Sequence, residues 1–143
     1  MAKSTNLYLS QNINNQSIKL TDADTTVTKL AFTAEATNGS HIIAGIATSD
    51  DTATVNLKIY IVRSAVEYLL GVVPVFAGAG TDGSAGTCDL FQVGGTLIIL
   101  GLPLSNVGLF YLPLKAGDTI KIGCLATMTA AKTCTVNLFG EDL

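Results

Sequence analysis

Residues Thr54 to Arg63 read TVNLKIYIVR. Val55, Leu57, Ile59 and Ile61 fall on one side of an extended chain, and Asn56, Lys58 and Tyr60 fall on the other. This is the two-residue period of a half-buried β-strand. Outward from it, the alternation returns twice near the C-terminus. Thr119 to Leu125 sets Ile120, Ile122 and Cys124 against Lys121 and Gly123, and Thr133 to Phe139 sets Cys134, Val136 and Leu138 against Thr133, Thr135 and Asn137. Thr25 to Thr37 places Leu30, Phe32 and Ala34 on one face. His41 to Thr48 is apolar on both faces, as a central strand is. Leu70 to Ala77 and Leu97 to Leu100 are short apolar runs that read as further strands. Turn signals at Asn38-Gly39, Ser49-Asp50-Asp51, Asn106-Val107-Gly108 and Ala116-Gly117-Asp118 separate these runs at intervals of roughly 8–15 residues, the rhythm of a sandwich or barrel. No helical stripe exceeds two turns, although Ser64 to Leu70 and Cys88 to Val93 each fit one short helical turn. The expectation is an all-β, single-domain antiparallel β-sandwich, jelly-roll-like, over residues 17–143, preceded by a polar N-terminal arm over residues 1–16.

The last two strands allow a register to be written. A hairpin turning around Thr129 sets Ile120 against Leu138, Ile122 against Val136 and Cys124 against Cys134, with all six side chains on one face. That register brings two thiols within bonding reach, or leaves them packed as small hydrophobes, the reading a reducing cytoplasm favours. Cys88 reads as a free thiol. Three cysteines, an odd number with no CxxC pair, argue against a disulfide framework and against a zinc site.

A chain of 143 residues fits one domain. Hydrophobic residues are 48% and charged residues only 13%, about half the usual share of charge. Either Thr, Ser and Asn cover a monomer, or a partner covers part of the surface, most simply further copies of the chain. The net charge of −3 and the scattered Lys and Arg speak against nucleic-acid binding. No basic amphipathic helix suggests a membrane surface. Met1 to Asn15 lacks the apolar run of a secretory signal. Gly94 to Leu104 is half the length of a membrane span and is interrupted by Pro103. A soluble protein made in the cytoplasm is expected.

The residues offer little chemistry. The one histidine, His41, sits beside Ile42 and Ile43, and its neighbour Ser40 points to the opposite face of the strand, so no Ser–His relay follows. The acidic pairs Asp22/Asp24, Asp50/Asp51 and Glu141/Asp142 fall at turns or the terminus and lack the spacing of a calcium loop. Gly78 to Gly86 (GAGTDGSAG) has scattered glycines but no following helix and no GK[ST] ending, which speaks against nucleotide binding. It reads as a mobile or tightly turning surface loop, either a connector or a partner contact through Gly78, Thr81 and Asp82. No cofactor, metal or catalytic residue is expected, and the chain reads as non-enzymatic. In the arm, Leu7, Tyr8, Leu9 and Ile13 are apolar anchors for a partner, unless the segment is simply a frayed terminus.

Three motifs carry a resemblance. VPVFAGAGTDG (Val73–Gly83), FYLPLKAGD (Phe110–Asp118) followed by an Ile-rich strand, and TVNLFGEDL (Thr135–Leu143) together look like small structural proteins of tailed bacteriophages, of the capsid decoration or cement type. The resemblance covers the C-terminal half. It implies a jelly-roll-like sandwich, a homotrimer, contact with a major capsid protein, a place on the virion capsid surface after synthesis in the host bacterial cytoplasm, and no catalytic residue. The other function considered is a receptor- or glycan-binding domain of a phage tail fibre or spike, which needs a polar–aromatic cleft around Tyr60, Tyr68 and Tyr111.

Overall fold

The computed structural model describes residues 12–93, 96–97 and 111–143. The strands are β1 (Asn12–Thr21), β2 (Lys29–Thr33), β3 (Ser40–Ser49), β4 (Val55–Arg63), β5 (Val66–Val75), β6 (Cys88–Asp89), β7 (Gln92–Val93), β8 (Thr96–Leu97), β9 (Leu112–Leu114), β10 (Thr119–Cys124) and β11 (Thr133–Asp142). A single 3₁₀ turn, Asp22–Asp24, follows β1. Two antiparallel sheets form the sandwich. One runs β1-β11-β3-β6, with β9 also on β3, and the other runs β2-β10-β4-β5, while β7 and β8 pair apart. Setting aside β7, β8 and β9, the first strand pairs the last (β1 with β11), the second pairs the next to last (β2 with β10), and β3 with β6 and β4 with β5 complete the nest. That nested pairing is the jelly roll, one long folded ribbon wound into two sheets.

Apart from Leu30, expected beside Phe32 and Ala34 but left exposed by a register shift between β2 and β10, the inner faces carry the alternation read from the sequence. Phe32, Leu57, Ile59, Val73, Val75, Ile120 and Ile122 come from one sheet and Leu20, Ile42, Val136 and Leu138 from the other, all buried. Each side chain of this size removed from water stabilises the fold by about 1.5–3 kcal/mol, so these strands hold the sandwich without metal or disulfide.

Four expectations need correction. The β10–β11 hairpin does not form. β10 lies between β2 and β4, whereas β11 lies between β1 and β3. Ile120, Ile122, Cys124, Cys134, Val136 and Leu138 share one core, but they meet across it from opposed sheets. Alternation says that a strand has one buried face and cannot say whether two such strands lie side by side or face to face. The segment from Leu125 to Lys132 is a crossover. Met128 is buried at its centre, and Thr129 is held by Asp51 of the β3–β4 loop, its N–H at 2.9 Å and its hydroxyl at 2.6 Å.

Ser64 to Leu70 is not helical. Ser64 and Ala65 take φ of 51° and 63°, the left-handed pair of a tight two-residue hairpin turn, and β5 starts at Val66. Cys88 to Val93 likewise forms β6 and β7, with the Asp89 carboxylate accepting the Phe91 N–H at 2.8 Å between them. Finally, Asn12 to Gln16, expected as part of the arm over residues 1–16, belong to β1 and pair with β11. This stretch escaped notice because its inward residues are polar: Asn14 and Gln16 donate to the Thr33 carbonyl at 3.2 and 3.1 Å, and Gln16 accepts the Thr33 N–H at 3.0 Å. β1 closes that edge of the sandwich with amide side chains where an apolar pattern was sought. Residues 1–11, most of the run Leu97–Leu100 and the turn Asn106–Gly108 lie outside the described residues.

Candidate interaction surfaces

The sheet containing β1, β11 and β3 turns half of its outer face apolar. Cross-strand register sets Ile13 against Glu141, Asn15 against Phe139, Phe139 against Ala44 and Asn137 against Ile46. A bulge opposite Phe139/Gly140 adds Ile43 to the exposed side. Ile13 is 78% exposed and Ile43 51%. The expected partner residue Ile13 therefore belongs to a patch with Ile43, Ala44, Ile46 and Phe139. Toward the other end the same face is polar, with Ser17 donating to Asn137 at 2.7 Å. The rim is marked by His41, whose ring lies 4.6 Å from that of Tyr111 and whose Nδ1 is 3.8 Å from Glu141.

A second apolar surface lies on the β4–β5 hairpin. Its tip reaches beyond the core, so both of its faces are open: Val66 and Tyr68 on one side, Leu69 and Val72 on the other, all exposed. Lys121 and Glu67 pair at 2.8 Å across the outer side. Behind the tip, Arg63 grips the buried Asp118 through Nε at 3.0 and 3.1 Å and through its terminal nitrogen. Hydrogen bonding from Arg63, which outweighs burial, and the Lys115 N–H hold the Asp118 carboxyl below the usual range.

The Gly-rich loop is tightly turned. Gly78 and Gly80 take φ of 66° and 69°, and a Cβ on Gly78 would strike the Asp82 carboxylate. Ala79 is buried and accepts the Ser49 N–H, the Thr81 hydroxyl donates to the Ser49 carbonyl at 2.9 Å, and Asp82 accepts the hydroxyl and N–H of Ser84. Beside it lies an open concavity of about 550 Å³ whose rim includes Asp50, Asp51, Thr81, Asp82, Ser84 and Lys132. These acids already serve the fold. Asp50 accepts the Thr133 N–H, and Asp51 accepts from Thr129 and Ala53. Burial pushes the Asp51 carboxyl up, but those hydrogen bonds outweigh it and leave the group below its usual range. Among the described residues no group of three His, Cys, Asp or Glu side chains is placed to hold a metal ion.

No family model matches the sequence, and no curated protein matches it. Among solved structures, a chain of the cyanophage Pam1 capsid asymmetric unit is similar over 92% of this chain and 84% of that one, with a TM-score of 0.44 and 12% identity.

Of the expected partner residues, the structure brings Gly78, Thr81 and Asp82 together in one loop, places Ile13 at a distance from them on a sheet face, and does not describe Leu7, Tyr8 and Leu9. The three tyrosines do not converge. Tyr60 and Tyr68 point from opposite faces of the same hairpin, as the pairing of Tyr68 with Ile61 requires, and Tyr111 stands beside His41 on the other sheet. Sequence reading missed the two apolar surfaces, although one signal was present: the runs Ile42–Ile46 and Tyr68–Val73 are apolar at consecutive positions, more than one core face can absorb. All three cysteines are buried and free. Burial pushes the Cys134 thiol up to about 12 and raises Cys88 and Cys124 as well. Among the described residues no helix is long and apolar enough to cross a membrane.

Proposed function

We propose that this chain is a non-catalytic structural subunit of a phage virion, a decoration or cement protein that assembles as a homotrimer and binds the major capsid protein on the outside of the head. The observation that carries the reading is the apolar outer patch of Ile13, Ile43, Ala44, Ile46 and Phe139 on a chain with 13% charged residues. Apolar side chains gathered on one outer face, among polar neighbours such as Asn15 and Glu141, are the kind of surface that marks a docking face. The three C-terminal motifs that resemble phage structural proteins supply the kind of partner. A subunit that binds only the assembled shell stabilises it by mass action, with buried interface as the source of affinity. The work is mechanical and needs no reactive group.

Light scattering is expected to give the mass of a trimer, and purified heads lacking the protein are expected to take it up in a sedimentation assay. Ile43→Asp is expected to abolish uptake while leaving the circular dichroism spectrum unchanged, because Ile43 contributes nothing to the core. Uptake undiminished in Ile43→Asp would remove this face from the reading. The tail-fibre alternative is not favoured by the scattered tyrosines, and a glycan array is expected to stay blank.

A further inference from the structure

We propose that the outer edge of β5 is completed by the N-terminal segment of a neighbouring copy, residues 1–11, which pairs as an added strand and ties the oligomer together. This deepens the homo-oligomeric part of the reading above and rests on it. The acceptor is an open strand edge. Among the described residues β5 pairs only with β4 and ends its sheet, it is ten residues long, and Tyr68 and Leu69 are 53% and 55% exposed on its two faces. A long apolar edge of this kind is a template for another strand. Pro74, with no N–H to offer, confines the template to the Val66–Val73 end.

The donor is set by where the chain leaves the sandwich. Asn12 pairs with Asp142, Asp142 accepts from Ser40, and Ser40 accepts the Glu35 N–H. Glu35 in turn accepts from Gly117, next to the Asp118 held by Arg63. β1 therefore starts at the same end of the molecule as the β4–β5 tip. It does so over the wrong edge, because Asn14 bonds to Thr33 of β2, at the far side of the β2-β10-β4-β5 sheet. Crossing three strand spacings and the gap between sheets takes about 17 Å, or about five extended residues. Within one molecule that crossing would use up residues 7–11, and with them Leu7, Tyr8 and Leu9. A neighbouring copy's segment arrives with those residues free to alternate along the edge.

The test uses the full chain with a photoreactive benzoylphenylalanine placed at Tyr8, prepared as light and nitrogen-15 copies and mixed before irradiation. The expected product joins Tyr8 to a peptide from residues 66–75 in light–heavy pairs, and deletion of residues 2–11 shifts the scattering mass from trimer toward monomer. Cross-links only within one copy would overturn the exchange. A trimer that persists after the deletion, with no cross-link to β5, would overturn the assignment of this edge while leaving the trimer standing. A monomeric full-length chain would overturn both. Leu69→Asp is a second variant: it is exposed, so folding survives, and it is expected to lose the cross-link, whereas an undiminished cross-link counts against the edge.

Discussion

The sharpest test of the β10–β11 crossover is the contact between Asp51 and Thr129. Asp51 is 2% exposed, and its carboxylate accepts the Thr129 N–H at 2.9 Å, the Thr129 hydroxyl at 2.6 Å and the Ala53 N–H at 3.0 Å. A hydrogen bond to a charged group is worth about 1.5–3 kcal/mol, and some of it returns when water reaches the orphaned donors. Asp51→Ala is therefore expected to cost about 3 kcal/mol. With an unfolding entropy of about 0.3 kcal/mol/K for a chain of this length, that is a fall of about 10 °C in Tm. Thr129→Ala removes only the hydroxyl bond and is expected to cost about 1.5 kcal/mol. Because the two side chains share one bond, the double variant is expected to fall short of additivity by about 1–2 kcal/mol in a urea-denaturation cycle. Were β10 and β11 a hairpin turning at Thr129, this residue would be a solvent-facing turn position with no tie to the β3–β4 loop. Strict additivity, with Thr129→Ala nearly silent, would refute the crossover and with it the assignment of the last two strands to opposed sheets.

Asp118 and Asp51 have folded-state carboxyl values below the ordinary 3.8, so their contribution is fully present above that value and is lost as pH falls through the lower folded values. The urea midpoint is expected to hold from pH 7 to 5 and to drop steeply below about pH 4, with Asp118→Asn flattening part of that drop; an unaltered slope would remove Asp118 as its source. The buried thiols, with Cys134 pushed up to about 12, are expected to react with Ellman's reagent at pH 8 only after denaturation, and fast labelling of Cys134 in the native protein would contradict its burial. Gly78→Ala meets both a positive φ and the Asp82 carboxylate and is expected to cost about 1–3 kcal/mol, measured by thermal melting; a neutral result would mean the loop repacks freely.

The fold class was legible because an antiparallel sandwich with one wet face per sheet writes its period directly into the chain. TVNLKIYIVR is β4 nearly residue for residue, and Thr119–Leu125 and Thr133–Phe139 hold most of β10 and β11. The errors arose where a strand does not obey that period. At its start β1 sets half-buried amides, Asn14 and Gln16, against Thr33 where hydrocarbons would be expected, so those inward positions read as polar arm. The β4–β5 tip extends past the core, so VEYLL carries apolar residues on both faces and imitates a helical turn. The pairing of β10 with β2 and β4 is a long-range fact, and no local pattern contains it.

The same two departures explain why the candidate surfaces were hard to read and why they carry functional weight. A single outward Ile or Phe is ordinary on a monomer, but several gathered on one sheet face or along one strand edge are not. Such residues gain nothing from water and expose the chain to unwanted pairing at strand edges. Here Ile13, Ile43 and Phe139 lie on one outer face, and Val66, Tyr68 and Leu69 line an edge that no other strand covers among the described residues. Apolar residues on successive positions in Ile42–Ile46 and Tyr68–Val73 thus give each strand two apolar faces, one turned to the core and one that the proposed neighbours would cover. Substituting inward residues such as Ile42 or Val73 should cost stability, whereas their outward companions Ile43 and Val72 should cost only assembly. A set of paired variants measured for both quantities separates the two faces. If Ile43 and Val72 proved as costly to folding as Ile42 and Val73, the outer surfaces would be buried within one molecule and the argument for neighbours would lose its physical basis.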